Sequence, residues 1–308
     1  EILKVLCRYL PEEARNDNET GIVITVPAAF NQLQKEATLK AAEIANIGDV
    51  CLLQEPIAAV MSVLKSDNSD GTFIIYDLGG GTLDIAIAEN IGGRVSLLGQ
   101  GGISLCGGRD FDRKIIEEIV KPWLLENFEL PENFWNQSDY KDLVKLTDWA
   151  VEIAKIELSS QESTKILLSE EEIEIKDLAE KDIFIDIEIG REIFNQLIDK
   201  IIDQSIQAIK ETLQVSCLSN EDIDKIVFIG GPTNYKPLRE KIVNKLRIKE
   251  STEINPMTAV SEGASIFCET IDWKTKNRER KQATKEIKNE GDIDIKFTYL
   301  ERTPSNKS

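Results

Sequence analysis

The chain has 308 residues, with 37 basic and 55 acidic side chains, no histidine and a net charge of −18. This length allows two lobes with separate cores, and the negative charge argues against nucleic acid and anionic membranes as partners, so a nucleotide would need local donors and metal. The lack of histidine excludes serine–histidine and cysteine–histidine catalysis and histidine-ligated zinc.

Residues 1–66 predict an α/β unit. Positions 1–10 have helical spacing but begin without a start methionine or a cap, so we expect a cut inside a longer protein. The segment 21–27 (GIVITVP) predicts a short strand, and Asn31 is predicted to cap the following helix. The apolar face of that helix is predicted to comprise Leu33, Ala37, Ala41, Ile44 and Ala45. A second strand is predicted over 50–53, and Glu55-Pro56 opens the next helix because proline suits a first helical position.

The stretch 73–89 (FIIYDLGGGTLDIAIAE) predicts two buried strands joined by a glycine turn. The turn, 79–82 (GGGT), leaves backbone N–H groups without side-chain cover, and such a row of donors suits a phosphate. Asp77 ends the first strand and Asp84 lies on the second, where either carboxylate can hold a hydrated magnesium ion. A glycine-rich hairpin with solvated acids at its mouth is the alternative.

The meander is predicted to continue over 94–98 and to lead into a helix over 110–128. Gly107 and Gly108 precede that helix, and glycines before a helix start can offer N–H groups to an anion.

A further helix carries a polar and an apolar side. Its core stripe is predicted to contain Leu143, Leu146, Ala150, Ile153 and Leu158. On its other side Glu152, Lys155 and Ser159 share one face that could line a cleft. Their spacing alone favours a solvated face with a local ion pair.

Short strands are predicted within 166–189, and a long amphipathic helix follows. The buried side of this helix is predicted to contain Ile193, Leu197, Ile201, Ile209 and Leu213. The segment 224–233 (DKIVFIGGPT) then predicts a buried strand that ends at Gly230 and Gly231, before a helix from about residue 236. Ligands of open α/β sheets bind beyond the carboxyl ends of strands, where paired glycines admit a ribose or phosphate. The pair fits a plain strand-to-helix turn equally well.

The last part of the chain predicts one helix, a linker and a strand. Asn255-Pro256 leads into a helix that contains Ala259, Val260, Ala264 and Phe267 and is small enough on one side for close packing. Residues 273–291 read as a basic, polar linker, and alternation over 293–299 predicts the first strand of an absent β domain.

The five cysteines match no metal-ligand spacing, so we expect reduced core thiols at Cys7, Cys51, Cys106, Cys217 and Cys268. No apolar run approaches the ~18 residues that cross a bilayer and no leader pattern opens the sequence, which predicts a cytoplasmic protein without a membrane partner.

Neither a GxxxxGK[ST] loop nor a GxGxxG fingerprint after a strand occurs, so the P-loop and dinucleotide folds lack support. What remains is two glycine-bearing strand ends around a magnesium carboxylate. This pattern predicts that two distant corners of the chain close on one ATP molecule between two lobes.

Five segments, in order, resemble the nucleotide-binding domain of the seventy-kilodalton heat shock chaperone family. They are VITVPAAFN at 23–31, QEP at 54–56, YDLGGGTLD at 76–84, CGGRDFD at 106–112 and FIGGPT at 228–233. The resemblance covers about residues 21–271. It implies the α/β actin-like ATPase (ribonuclease H-like) two-lobed fold, with the N-terminal part of the first lobe missing.

The resemblance also divides the chain. Residues 1–66 would be the remainder of lobe I, and 107–190 the outer subdomain of lobe II. The base of lobe II would comprise 67–106 and 191–254. Residues 255–272 would form a return helix to lobe I, and 273–308 the basic linker with the first strand of the missing β domain.

The phosphate and metal roles that the resemblance implies fall on the glycine hairpin and the helix before it. Gly79, Gly80, Gly81 and Thr82 would hold the β- and γ-phosphates of ATP. Asp77 and Glu55, the latter through water, would order magnesium, and Asp84 would help to position the attacking water.

The nucleoside and switch roles fall elsewhere. The positions implied for nucleotide contact are Glu152, Lys155 and Ser159 at the adenosine, Gly230 and Gly231 at the α-phosphate and ribose, and Gly107 with Gly108 at the cofactor. Pro27 and Lys35 match the switch proline of the family and its basic partner, which connect the phosphate state to other domains.

Three positions depart from the family pattern. Ile156 stands where an arginine stacks on adenine, Asn234 replaces another arginine, and Met257 replaces an aspartate. The first phosphate loop and the catalytic lysine of the family precede the start of this sequence, so we expect little ATPase activity from it.

The function implied is that of a nucleotide-binding fragment of a divergent ATP-dependent chaperone in protein folding and stress response. ATP or ADP with Mg²⁺ would switch the grip of a C-terminal domain on unfolded polypeptide, with co-chaperones and a nucleotide exchange factor as partners. The rivals are a sugar-kinase-like phosphotransferase of the same fold and a degenerate module that binds without hydrolysis.

Overall fold

The computed structural model describes residues 1–13, 21–48, 50–65, 69–271 and 273. The helices are α1 (Ile2–Arg8), α2 (Gln32–Ala45), α3 (Glu55–Leu64), α4 (Gly108–Ile115), α5 (Lys121–Asn127), α6 (Lys141–Glu157), α7 (Glu170–Ile173), α8 (Arg191–Val215), α9 (Lys236–Leu246) and α10 (Ala259–Glu269). The strands are β1 (Ile22–Val26), β2 (Val50–Gln54), β3 (Gly71–Leu78), β4 (Thr82–Ile91), β5 (Arg94–Ser104), β6 (Ser163–Leu168), β7 (Ile185–Gly190), β8 (Lys225–Ile229) and β9 (Lys249–Glu250). The strand predicted over 293–299 and all of the linker except Trp273 lie outside the described residues.

A mixed sheet forms the centre of the described part of the chain, with the strand order β5-β4-β3-β8-β9. Strands β3, β4 and β5 form the predicted antiparallel meander, and β8 runs parallel to β3 with Asp77 opposite Ile229. Because parallel strands end at the same edge of a sheet, the triglycine turn after β3 and the Gly230-Gly231 pair after β8 lie side by side. The predicted proximity of these two corners is confirmed, within one sheet, and their closing on one ATP molecule between two lobes stays a prediction.

The two faces of the sheet pack against different helices. Ile74 and Tyr76 of β3 belong to a large core that includes α6 and α8. Phe73 and Ile75 belong to a second core with α3 and α10. This alternation follows from the two-residue period of a strand and gives helices on both sides of a sheet, as the α/β prediction required.

Two smaller sheets flank the centre. Strands β1 and β2 pair in parallel, with α2 between them along the chain, and β6 pairs antiparallel with β7. Asn31 caps α2 as predicted, since its side chain accepts from the Gln34 N–H and the Gln34 side chain accepts in return. Among the described residues, no helix combines the length and apolar character that a membrane crossing requires.

The long helices exist where they were predicted, but the one expected over 110–128 is divided into α4 and α5, and α7 lies where only strands were expected. Some of the helices also bury another face. In α2 the buried residues are Ala42 and Ala45, whereas Leu33 and Ile44 are 76% and 69% exposed. The helix contacts only α1 and β2 appreciably, so it covers a narrow strip with its small side chains. In α6 the predicted Leu143, Ala150 and Leu158 are buried, but Ile153 is exposed and Thr147, Val151 and Ala154 take its place.

The first half of α8 buries a stripe one residue away from the predicted one, while Leu197 and Ile201 of the predicted stripe are partly buried against the same core. Its buried side contains Phe194, Ile198, Ile202 and Ile206, together with the predicted Ile209 and Leu213, whereas Ile193 is exposed. Both stripes are apolar in the sequence. The packing of Phe194 against Phe111, with ring centroids 6.2 Å apart, belongs to the stripe that was not predicted.

Close packing was predicted correctly for α10. A Cβ atom on Gly263 would lie 1.7 Å from the carbonyl oxygen of Ala58 in α3, so the two helices touch through their backbones. The cysteine prediction is confirmed for Cys106, which is buried, and wrong for Cys217, which is exposed.

Candidate functional site

The three carbonyl groups of the triglycine turn accept hydrogen bonds on the same side of the turn. The oxygens accept backbone hydrogen bonds from the segment after β5, namely Gly79 from Gly108 at 3.0 Å, Gly80 from Arg109 at 2.8 Å and Gly81 from Leu105 at 3.1 Å. In a trans peptide unit the C=O and the next N–H point in opposite directions. The N–H groups of Gly80 and Gly81 therefore point away from that segment, and they donate to none of the described residues. Two bare N–H groups in succession suit an anion.

Gly107 and Gly108 shape this turn. A Cβ atom on Gly107 would lie 2.5 Å from the nitrogen of Gly81. That distance is too short for any side chain, so this position requires glycine. The Gly107 N–H donates to Asp110 Oδ2 at 2.9 Å, and the Gly108 N–H is used by Gly79. The expectation that these two N–H groups offer an anion site is therefore wrong for the structure, because both already have acceptors.

Three carboxylates meet beside the turn for a simple geometric reason. Asp77 and Asp84 are direct partners across the β3–β4 hairpin. Both point to the face that α3 covers, since they continue the alternation of Ile75 and Ala86, and Glu55 is the first residue of α3. The three side chains line one cavity of about 20 Å³, which holds about one water-sized particle.

The electrostatics of this cavity are unfavourable without a cation. Burial, then repulsion by Asp77 and Asp84, raises the pKa of Glu55 to about 7. Burial and the Asp84 charge raise the pKa of Asp77 to about 6. Burial also raises the pKa of Asp84, against a hydrogen bond from Thr82 that lowers it. Like charges held this close favour proton uptake or a bound cation.

The donor set fits a hydrated magnesium ion. The described residues contain no group of three histidine, cysteine, aspartate or glutamate side chains arranged to hold one metal ion directly. Mg²⁺ usually keeps several waters and takes one or two carboxylates, so Asp77, with Glu55 acting through water, is a chemically adequate set.

These raised pKa values predict a pH dependence of stability. The folded protein holds more protons than the unfolded chain between the ordinary carboxyl pKa near 4 and the raised value of about 7, so stability falls as the pH rises through this window. We expect Glu55→Gln to raise the free energy of unfolding by about 1 kcal/mol at pH 8 and to change it little at pH 4.5. This gain is smaller than the free energy that corresponds to the full pKa shift, because Glu55 remains partly exposed to solvent.

Urea unfolding of wild type and Glu55→Gln at both pH values measures this difference. Glu89→Gln, at the far end of the same hairpin, is the matched control for loss of one acid from a chain of charge −18. Equal gains from both variants at pH 8 would assign the effect to overall charge and contradict the prediction.

The second glycine corner reaches the same place. Gly230 has φ +90° and a Cβ atom there would lie 2.1 Å from the Leu78 oxygen, so this position needs glycine. A Cβ atom on Gly108 would lie 3.1 Å from Pro232 and 3.3 Å from Lys155 Nζ. The structure thus brings the triglycine segment, the second glycine corner and Lys155 together.

Lys155 is held in place rather than solvated. Its Nζ lies 2.7 Å from Asp112 Oδ1 and 3.1 Å from the Gly108 oxygen, and both side chains of the ion pair are 12% exposed. Glu152 is exposed on the same helix, and Ser159 follows the helix end, where its carbonyl accepts from Arg191 at 3.1 Å. The ion pair joins α6 to α4, so the solvated-face interpretation is wrong for Lys155. The adenosine contact of these three residues stays a prediction.

Of the three positions that depart from the family pattern, Asn234 and Met257 lie at the second glycine corner, and Ile156 directly follows Lys155 in α6. Ile156 is 56% exposed. Asn234 donates to the Gly231 oxygen at 3.1 Å, and Met257 lies beside Gly231, with its sulfur 3.7 Å from the place of a Cβ atom there.

Pro27 directly precedes two residues that line the carboxylate cavity, and the switch role implied for Pro27 and Lys35 stays a prediction. Pro27 begins the turn between β1 and α2, and the next two residues, 28 and 29, line the cavity. Lys35 is half-buried in the first turns of α2.

Sequence reasoning assigned no role to Arg109. Its guanidinium lies over the triglycine turn, where a Cβ atom on Gly80 would lie 3.6 Å from Arg109 Nε. The available signal was a cation inside CGGRDFD, directly after two glycines and before a helix.

Comparison with known proteins agrees with this geometry. The family model described as Hsp70 protein matches residues 1–281. The chain is 33% identical over 270 residues to the chaperone protein dnaK of Cyanidioschyzon merolae, covering 88% of this chain and 42% of that protein. It is also 33% identical to the chloroplastic heat shock 70 kDa protein 7 of Arabidopsis thaliana, covering 86% and 36%, and to the chaperone protein DnaK of Deinococcus proteolyticus, covering 80% and 38%. The chain thus spans about two fifths of the length of these relatives. With the actin-like α/β architecture, the matched model and these relatives in agreement, the chain belongs to the Hsp70 family.

Proposed function

We propose that this chain binds ATP or ADP with Mg²⁺ at the shared edge of β3 and β8, as the nucleotide-binding domain of an ATP-dependent chaperone. The observation that carries the proposal is the triglycine turn. Its three carbonyls are tied down, its Gly80 and Gly81 N–H groups are bare, and Asp77 and the second glycine corner stand next to it.

Different residues would bind different parts of the nucleotide. Backbone N–H groups of the turn, from Gly80 to Thr82, would bind the β- and γ-phosphates, since consecutive amides match phosphate oxygens. Gly230 and Gly231 would let the α-phosphate and ribose approach the backbone. The adenosine would lie against α6 at Glu152, Lys155 and Ser159.

The carboxylates would act on metal and water. Magnesium would neutralise the phosphate charge that the three acids repel. Asp77 would hold the ion's water ligands together with Glu55, and Asp84, hydrogen-bonded to Thr82 in the structure, would orient a water toward the terminal phosphate.

Pro27 and Lys35 would connect the phosphate state of the bound nucleotide to other domains. Pro27 is joined to the cavity-lining residues 28 and 29, and α2 begins three residues after residue 29, so a change at Glu55 and Asp77 has a short path to this turn. The longer relatives named above include chaperone proteins. For this protein, unfolded polypeptide, co-chaperones and an exchange factor are the proposed partners, and the cytoplasm the proposed location.

Isothermal titration calorimetry tests the binding proposal. We expect heat on addition of ATP and ADP with magnesium, and affinity at least about 10-fold lower when magnesium is replaced by EDTA, because the acids then repel the phosphates. Adenosine without phosphate is the control for the contribution of the turn. No heat and no thermal shift with millimolar nucleotide would overturn the proposal.

A module that binds without hydrolysis is the second candidate. The exposed Ile156, with Asn234 and Met257 at positions where the family has charged residues, favours it. Release of labelled phosphate separates the two, and transfer to a panel of sugars separates both from a sugar-kinase-like phosphotransferase. Steady turnover by this chain that Asp77→Ala abolishes would contradict the expectation of little ATPase activity.

A further inference from the structure

We propose that Arg109 is an additional phosphate-binding residue, whose guanidinium contacts the terminal phosphates of the nucleotide at the triglycine turn. The inference rests on the proposed function and adds to it. It names a cationic side chain at a site otherwise made of backbone amides and acids.

The position of Arg109 is fixed by its own backbone. It is the second residue of α4, and its N–H donates to the Gly80 oxygen at 2.8 Å. The side chain then crosses the turn. A Cβ atom on Gly80 would lie 3.6 Å from Nε, and one on Gly81 would lie 3.5 Å from Nη2. The guanidinium therefore lies beside the two glycines whose N–H groups are bare, within van der Waals distance of the places that Cβ atoms there would occupy.

The donors of Arg109 are not used within the described residues. Its nearest acids along the helix have other partners, because Asp110 accepts from Arg113 and from the Gly107 N–H, and Asp112 is paired with Lys155. Arg109 forms no side-chain hydrogen bond or ion pair with any described residue, and its side chain is exposed. Five N–H donors thus remain next to the turn.

Helix stability does not explain an arginine at this position. The first turn of a helix carries the positive end of the dipole, where acids are favoured and cations are disfavoured. A bound phosphate would offset this cost, because the guanidinium then has a partner of opposite charge. The planar fork of arginine also matches two oxygens of one phosphate.

Charge compensation gives a second reason. Three carboxylates face the cavity beside the turn, those of Asp77, Asp84 and Glu55. Their negative charges repel one another and also any phosphate bound at the turn. Lys155, a second cation near this turn, is already paired with Asp112. Arg109 supplies the positive charge that the backbone donors lack.

The test compares affinities for ATP, ADP and AMP, each with magnesium, in wild type, Arg109→Ala, Arg109→Gln and Arg109→Lys. We expect the alanine and glutamine variants to bind ATP and ADP about 10- to 100-fold more weakly, the usual range for losing a charge-assisted hydrogen bond. AMP affinity should change less than about 2-fold, and lysine should restore part of the loss because it keeps the charge. Arg113→Ala, one turn further along α4, is the matched control and should leave ATP binding unchanged.

Thermal unfolding of the ligand-free variants checks that they fold, which we expect because the side chain is exposed. Wild-type affinity for ATP in both Arg109→Ala and Arg109→Gln would overturn the inference and leave the proposed function standing. Equal weakening of ATP and AMP would assign Arg109 to the shape of the turn and also overturn it. If wild type binds no nucleotide at all, the proposed function fails, and the inference fails with it.

Discussion

Asp77→Asn should make the ligand-free protein more stable and at the same time abolish its binding of magnesium nucleotide. At pH 8 we expect a gain of about 1–2 kcal/mol in the free energy of unfolding. The substitution removes a carboxylate whose pKa is raised to about 6 by burial and by Asp84. The same change removes the carboxylate proposed to hold the ion. Affinity for ATP with magnesium should fall at least about 100-fold.

The opposite signs make this prediction specific. Urea unfolding gives the first number and calorimetry the second, on the same preparation. Glu89→Gln, which removes one acid from the far end of the same hairpin, should change neither by more than about 0.5 kcal/mol. A destabilised Asp77→Asn that still binds ATP like wild type would show that the three acids do not form a cation site.

Gly263→Ala should cost the fold about 3 kcal/mol, at the upper end of the usual range for overpacking. The added methyl group would lie 1.7 Å from the Ala58 oxygen, which belongs to the backbone of α3 and cannot rotate away. Helices α3 and α10 must then separate. Because Glu55 opens α3, we also expect weaker nucleotide binding.

The sign of this result is decisive. In a helix with free space, glycine to alanine stabilises by up to about 1 kcal/mol. A gain in stability would therefore show that the two helices do not touch. Gly190→Ala, whose new methyl group would lie 3.7 Å from the nearest atom, is the control for glycine replacement without a clash and should stay near wild type. Thermal or urea unfolding measures both.

Much of this site could be predicted from local sequence. The hairpin and the positions of its two acids follow from strand alternation, and the turn follows from backbone that only glycine leaves uncovered. The hairpin and the turn were predicted correctly. The faces of the helices were predicted less well. In α8 two apolar stripes lie side by side, and composition cannot choose between Ile193 and Phe194; the choice depends on where Phe111 lies.

The roles of the polar residues depended even more on distant partners. Lys155 could be read as half of a local ion pair because its partner, Asp112, is 43 residues away in sequence. The N–H groups of Gly107 and Gly108 were expected to be free, but the carboxylate of Asp110 and the Gly79 oxygen take them. The position of the Arg109 guanidinium over the turn likewise depends on the fold, because the helix that carries Arg109 begins more than 25 residues after the turn.

The sequence by itself determined the elements, the two glycine corners, the residue types at their mouth and the family to which the chain belongs. These depend on short-range rules, such as strand period, helix capping and the backbone freedom of glycine, that act within a few residues. The tertiary structure decided which N–H donors have acceptors and which have none among the described residues. It also decided which acids share one cavity and which cation lies beside the turn. Hydrogen bonds and charges are satisfied between segments far apart in the chain, so only their arrangement in space fixes what remains for a ligand.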